Sequence, residues 1–253
     1  MTSLSISRSV SRAFEVLEHF RHGGAPRTML ELETELGYPY SSMRAILKTL
    51  CGLGYLKFDA EHKKYFPTQK LMGLGDWVQS ALLKTDSLIW LLEATRKRVG
   101  ETTALATPNF IFCNMFEVRN GNPPTALEVP LGVGLALTNS ASGRVLLSQM
   151  SDSKVEGVIR HTQYWIGTTR TPIVANRGDV LRSIELIRAN GYFSNYDSFR
   201  PGYGTVAYPV ISPLHGAPIA LLVSGESPRI RRAEARIRST IETNLASYVP
   251  EPA

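Results

Sequence analysis

The chain has 253 residues, 43% of them hydrophobic and 20% charged, which suffices for packed cores and excludes a disordered chain. Its 28 Lys+Arg against 22 Asp+Glu give a net charge of +6, with 10 against 7 over residues 1–75 and 18 against 15 over residues 76–253, so no basic field marks either half as a nucleic-acid binder. No run approaches the roughly 18 apolar residues of a membrane span. The start, Met1–Arg8, lacks an apolar signal core, and two cysteines exclude a disulfide scaffold or a four-cysteine zinc site. The expectation is a reduced, cytoplasmic protein with no membrane contact and about two domains.

Val10, Ala13, Phe14, Leu17 and Phe20 fall at i, i+3, i+4, i+7 and i+10, the apolar face of a first helix stopped by Gly23-Gly24-Ala25-Pro26. Thr28 and Glu31 form a capping-box pattern for a second helix, Met29 to Leu36, closed by Gly37 with Pro39 beyond. A third helix opens at Tyr40 or Ser41, buries Met43, Ile46, Leu47, Leu50 and Leu53, and ends at Gly54. Its other face carries Tyr40, Ser41, Ser42, Arg44, Ala45, Lys48 and Thr49, polar and basic without a carboxylate. Two short runs, Tyr55–Phe58 and Tyr65–Pro67, flank a basic tip at Lys63 and Lys64 and read as a hairpin. Together these are the parts of a winged helix-turn-helix over residues 1–70. The third helix fits a major groove, small residues at its start allow close approach to bases, and the hairpin tip meets the flanking backbone or the minor groove. The competing reading is an ordinary three-helix domain with a solvated charged face.

Over residues 71–99, Trp77, Val78, Ala81, Leu82, Ile89, Leu92 and Val99 keep helical spacing, with a break near Lys84-Thr85-Asp86. So apolar a helix needs a partner, either its own domain or a second copy. Residues 100–253 mix strands and helices. Thr102–Thr107 and Phe110–Val118 form a hairpin; Arg144–Ile159, Val180–Ala189 and Ala233–Tyr248 are helices; Tyr203–Ile211 and Pro218–Gly225 are β-rich. Helices on one side of a mainly antiparallel sheet make an α+β domain. Strand alternation puts Phe110, Phe112 and Phe116 on one face.

No Gly-x-Ser-x-Gly elbow, Walker loop or dinucleotide glycine fingerprint is present. His19 and His22 have no third metal ligand nearby, His161 and His215 are isolated, and Cys51 and Cys113 sit in apolar surroundings as inert thiols. No catalytic residue, metal or cofactor is therefore expected, because nothing assembles a nucleophile, a base and its orienter. An enzyme with an accessory helical domain, or a signalling module acting on a protein partner, stays as the alternative class.

An ordered series of segments carries a more specific resemblance. Ser9-Val10-Ser11-Arg12-Ala13-Phe14, the leucine- and glutamate-rich Leu30–Leu36, Gly37-Tyr38-Pro39-Tyr40-Ser41-Ser42 and Leu47-Lys48-Thr49-Leu50 through Gly54-Tyr55-Leu56 resemble the DNA-binding head of the IclR family of bacterial transcription regulators. Gly100-Glu101-Thr102, Ala136–Arg144, Thr168–Thr171, Ile187–Tyr192, Pro201-Gly202, Ala207–Val210 and Val223-Ser224-Gly225 continue it through the second half. The resemblance implies a regulator that binds double-stranded operator DNA, with a linker and dimerisation helix at 71–99 and a GAF-like effector-binding domain at 100–253. It implies a homodimer or a dimer of dimers. Its DNA contacts would be Arg8 and Arg12 early in the first helix, Tyr40, Ser41, Ser42, Arg44, Lys48 and Thr49 in the third, and Lys63 and Lys64 at the hairpin tip. Its effector contacts would be Asn139, Ser140, Asn195, Thr205 and Ser224, with Leu222 in the lining, Asp197 beside Asn195 to accept a hydroxyl, and Phe112 among the surrounding rings. Two departures stand out. Ala45 replaces a common arginine, with Arg44 beside it, and a neutral Asn195–Thr205 pair replaces a frequent Asp and Cys. Amides and hydroxyls amid Phe110, Phe112, Phe116, Trp165, Phe193, Tyr196, Tyr203 and Tyr208 point to a small aromatic effector, a phenolic or benzoic compound.

Overall fold

A computed structural model describes residues 7–74, 86–122, 134–166, 176–197, 201–211 and 218–249. The chain forms two compact units, Met1–Ala81 and Leu82–Ala253.

In the first unit, helix α1 (Arg8–Gly23) ends on a left-handed Gly24, β1 is Arg27–Thr28, and α2 (Met29–Leu36) carries the full capping box between Thr28 and Glu31 before a left-handed Gly37. Helix α3 (Tyr40–Gly52) leads into β2 (Leu56–Asp59) and β3 (Lys64–Pro67). The hairpin gains a third strand that the sequence pattern did not predict: β1 pairs with β3, giving the antiparallel order β1-β3-β2. Val16, Phe20, Leu32, Met43, Leu47, Leu50 and Leu56 form the core. Two expected core faces shift. Val10 (55% exposed), Phe14 (60%) and Leu53 (54%) stand outside that core. The register of α1 turns Val16 inward, and Val10, Phe14 and Leu53 instead line an open apolar groove of about 470 Å³ between α1 and α3.

In the second unit, helix α4 (Asp86–Val99) precedes β4 (Thr102–Asn109), β5 (Phe112–Arg119) and β6 (Gly134–Ala136). Helices α5 (Ala141–Ser148), α6 (Asp152–Ile166) and α7 (Arg177–Asn190) follow. Strands β7 (Phe193–Tyr196), β8 (Tyr203–Val210) and β9 (Ile219–Glu226) lead to the 20-residue α8 (Ser227–Ala246). The six strands make one antiparallel sheet in the order β6-β5-β4-β9-β8-β7. Helices cover both of its faces, not one. Val145, Leu146 and Leu147 of α5, Val155 and Ile159 of α6, and Val180, Ile184 and Ile187 of α7 pack on one side with Ala104, Ala106, Ala207 and Leu222. Leu88, Leu91, Leu92 and Val99 of α4 and Ile230, Ile237 and Ile241 of α8 pack on the other with Leu105, Val206, Leu221 and Val223. Of the two partners open to the connector helix, its Asp86–Val99 part uses its own domain; Trp77, Val78, Ala81, Leu82 and the break at Lys84-Thr85 lie outside the described residues. The single helix expected from Arg144 to Ile159 is two, α5 and α6, parted at Gln149–Ser151.

The aromatic face expected on β5 keeps Phe112 and Phe116 on one side and loses Phe110. Phe110 occupies a left-handed turn (φ 57°), leaving the strand before alternation applies. A bulge opposite Leu105/Ala106 leaves Phe116 unpaired, and it packs into the α4–α8 layer.

Candidate functional site

The first site is the outer face of α3. Met43, Leu47 and Leu50 anchor the helix inward, which leaves Tyr40, Ser41, Arg44, Ala45, Lys48 and Thr49 exposed with no carboxylate among them. The expected contact set divides in two. Ser41, Arg44 and Lys48 point outward together, one turn apart on the same stripe. Ser42 turns toward α1, where its hydroxyl accepts from Arg12 Nη1 at 3.3 Å, and the Arg12 guanidinium lies 4.8 Å from the Tyr38 ring centre. Tyr38 in turn bonds Glu15, so Arg12 serves first as a brace between α1, α3 and the turn. The Thr49 hydroxyl donates back to the Ala45 carbonyl at 2.9 Å. Arg8 is exposed at the start of α1.

On the hairpin, Asp59 accepts from the backbone N–H groups of Glu61 (3.0 Å) and His62 (3.3 Å) and pairs with the His62 ring at 2.7 Å. The His62 hydrogen bonds hold the Asp59 carboxyl below its ordinary range. This fixes the tip and leaves Lys63 exposed in a left-handed conformation (φ 52°), whereas Lys64 is half-buried opposite Asp59 and Thr28. Sequence reading treated the two lysines alike; the turn separates them.

The second site lies on the face of the larger sheet that α5, α6 and α7 cover. Register aligns Asn195 with Thr205, Thr205 with Ser224, and Ser224 with Thr102, a polar row crossing β7, β8, β9 and β4. Leu222, Ala207 and Ala104, two residues along each strand, belong to the α5–α6–α7 core, so the row shares that face. The Thr205 and Ser224 hydroxyls are 2.8 Å apart and bonded. Thr102 accepts from the Gly121 N–H at 2.9 Å; its membership of the row was missed, because it follows from pairing β4 with the sequence-distant β9. Helix α5 packs across β7, β8 and β9 on the same face, with Asn139 and Ser140 just before it in the chain.

Three expected effector residues are placed otherwise. Ser140 Oγ caps α5, accepting from the Gly143 N–H (3.1 Å) and donating to the Ala136 carbonyl (3.1 Å), so its hydroxyl is already spent. Asp197 sits in an exposed left-handed turn, accepting from the Gly202 N–H (2.9 Å) and the Ser227 hydroxyl (2.7 Å); these bonds hold its carboxyl below the ordinary aspartate range and make it a turn-former, not a pocket acceptor. Phe112 alternates with Cys113 and Met115, which face the α5–α7 core, so Phe112 points to the opposite side. Tyr208 and Tyr196 likewise pack in the α4–α8 layer. Of the rings expected around the effector, Phe193 packs on the row's face and Tyr203 shares its strand parity; the Trp165 side chain lies outside the described residues. Cys113 is fully buried with its thiol pushed up to about 11 by desolvation, an inert group donating to Ser142 Oγ at 3.3 Å. Among the described residues no cluster of three metal-ligating side chains occurs, and no helix is long and apolar enough to cross a membrane.

Comparison with known proteins agrees with this geometry. Residues 9–60 match the IclR helix-turn-helix domain, and residues 78–246 match the bacterial transcriptional regulator IclR C-terminal domain. The chain is 26% identical over 233 residues to the HTH-type transcriptional regulator XynR of Escherichia coli (strain K12), covering 91% of each. It is 26% identical over 239 residues to the HTH-type transcriptional regulator KdgR of Dickeya chrysanthemi, covering 89% of this chain and 73% of that one. An IclR family transcriptional regulator from Brucella abortus superposes with a TM-score of 0.71 at 21% identity, covering 99% of this chain and 95% of that one. A head with an acid-free helix face, joined in one chain to an α+β unit of this topology, belongs to the IclR family of transcriptional regulators, which bind DNA and are not enzymes.

Proposed function

We propose that this regulator binds its operator through the Ser41–Arg44–Lys48 stripe, with Lys63 on the flanking backbone, and is switched by a small aromatic effector, phenolic or benzoic, held on the Asn195–Thr205–Ser224 row. The observation that carries the effector reading is the row itself. Polar side chains from three adjacent strands converge on a face otherwise lined by Leu222, Ala207 and Phe193, which is the composition of a small-molecule site. Among the described residues the half-buried Asn195 and Asn139 amides have no hydrogen-bond partner, so a ligand hydroxyl or carbonyl would satisfy them. The proposed partners place the protein in the cytoplasm with its DNA.

A two-fold dimer, or a dimer of dimers, is part of the proposal. Half-sites related by two-fold symmetry match a symmetric protein, and residues 71–99 connect head to sensor. The exposed Val10, Phe14 and Leu53 of the head support it as an apolar surface a second copy can cover. The effector acts through its differential affinity for the DNA-competent and incompetent arrangements.

Calorimetric titration of the full chain with a panel of phenolic and benzoic compounds tests the effector reading. Binding of at least one of them, weakened about tenfold by Thr205→Val, is the expected result. Binding of short aliphatic acids alone defeats the aromatic assignment, and an unaltered affinity in Thr205→Val defeats the row.

A further inference from the structure

The strand that carries Asn195 has main-chain support from one side. β7 is four residues long and lies at the edge of the sheet, where among the described residues β8 alone pairs with it, Asn195 opposite Thr205. What else steadies it comes from the reverse face. Ser194 and Tyr196 flank Asn195, and alternation points both away from the row and toward α8. The Ser194 hydroxyl donates to Glu234 Oε1 at 2.6 Å, and the Tyr196 hydroxyl donates to Glu234 Oε2 at 2.7 Å. One carboxylate in the second turn of α8 thus grips the residues on either side of Asn195. Burial and the Glu234 acceptor push the Tyr196 phenol pKa up, so it stays a donor.

Glu234 is given to this strand and not to a cation. Among the described residues no basic side chain pairs with it; Arg231, in the same turn, lies over the Tyr196 ring at 4.3 Å and reaches Asp197 at 4.0 Å instead. Bonds to an ionised acceptor are roughly twice as strong as neutral ones, so the grip is firm. The rest of the rear wall is the same helix. Gly204, beside Thr205, faces Tyr196 across the strands, and a Cβ there would lie 2.8 Å from Tyr196 Cδ1 and 3.2 Å from Ile230 Cβ and Ser227 Cα. A larger residue would push Tyr196 and α8 off the strand. Helix α8 also follows directly on β9, so the helix that grips β7 is continuous with the strand carrying Ser224. Fixing a strand's side chains at i−1 and i+1 on one face fixes the direction of residue i on the other.

We propose that Glu234 is a positioning residue of the effector site: from behind the sheet it holds the Asn195 amide in place for the ligand, and it touches no ligand itself. This rests on the reading of the Asn195–Thr205–Ser224 row as the effector site and adds to it a residue from the opposite face.

Calorimetry on the full chain tests this, with phenol and benzoate titrated into wild type and the tighter of the two kept as the probe. Asn195→Ala is expected to weaken the probe about tenfold, and Glu234→Ala about five- to tenfold. In the Asn195→Ala background, Glu234→Ala should change affinity by less than about twofold, because the residue it positions is gone. Glu234→Gln keeps the length, accepts from one hydroxyl and donates to the other, and should hold affinity within about threefold of wild type. A merely structural Glu234 would lower the unfolding temperature and weaken the probe by the same factor in both backgrounds. That result overturns the proposal, as does undiminished affinity in Glu234→Ala or a Glu234→Gln variant as weak as Glu234→Ala. A wild type that binds neither compound, or an Asn195→Ala variant with full affinity, overturns the reading of the row itself. Should Glu234→Ala fail to fold, the double variant Ser194→Ala, Tyr196→Phe removes both donors and takes its place under the same criteria.

Discussion

Lys63 and Lys64 are adjacent in sequence, yet the left-handed turn at Lys63 sends one into solvent and folds the other against β1 and β2. Exposure decides which of them contributes to the phosphate term. Lys63→Ala should therefore lower affinity for all duplexes alike and reduce the slope of log affinity against log salt by about 1, while Lys64→Ala changes it less; fluorescence anisotropy across a salt series measures both. Asp197 makes the opposite kind of point, a charged residue set aside for the fold. Its folded carboxyl is depressed by the Ser227 and Gly202 donors, so the stability it contributes is present above its ordinary value of 3.8 and is lost as pH falls through the lower folded value. Asp197→Asn should flatten the fall in stability below about pH 4, measured by urea midpoints at pH 7 and pH 3; an identical acid slope in the variant contradicts the role given to those two bonds. Neither distinction was visible from residue type, because both depend on a positive φ at a non-glycine residue.

At the level of elements, local signals were the legible ones. Thr28 with Glu31 three residues on and Gly37 behind Leu36 fixed the limits of α2, and the structure carries every bond of that box: Glu31 N–H to Thr28 Oγ1 at 3.3 Å and Thr28 N–H to Glu31 Oε2 at 2.7 Å. Thr28→Ala should cost about 1 kcal/mol and lower the melting of the head, with DNA affinity falling and effector affinity unchanged. Differential scanning calorimetry paired with ligand titration checks this; a stability change confined to the sensor would contradict it. What sequence periodicity misjudged was depth. Val10, Phe14 and Leu53 satisfy the helical spacing of a core face as well as Phe20 and Leu50 do, but the core of so small a domain reaches only part of α1 and α3. Periodicity gives the angle of a side chain around a helix, and says nothing of how far along the axis the packing extends. The split of α5 from α6 escaped for a related reason, since Gln149–Ser151 interrupts the helix without glycine or proline.

For the whole molecule, the second site shows why topology must be known before chemistry. Asn195, Thr205 and Ser224 were identified by resemblance, and strand order then brought them into one row and added Thr102 from a strand more than ninety positions away in the chain. Plain alternation sends Phe112, Tyr196 and Tyr208 to the other face, since each is one residue from a position on the row's face, Cys113, Asn195 and Ala207. A sheet covered by helices on both faces keeps those two populations apart: α4 and α8 hold one side, and α5, α6 and α7 hold the side that carries the polar row. The DNA site needed less of this knowledge, because a helix face is written in a single local stretch, Tyr40 to Gly52. Operator choice, on this proposal, belongs to the exposed, acid-free stripe of that helix. The most direct measurement selects a preferred duplex from random-sequence DNA with the full-length protein, then compares its anisotropy-derived affinity with that for an unrelated duplex, in wild type and Arg44→Ala. Wild type should prefer the selected duplex by at least about a thousandfold at physiological salt, and Arg44→Ala should lose about 1–3 kcal/mol of that preference while retaining weak, salt-sensitive binding to both. A wild type indifferent to duplex DNA, or an Arg44→Ala variant with the full preference intact, would contradict it.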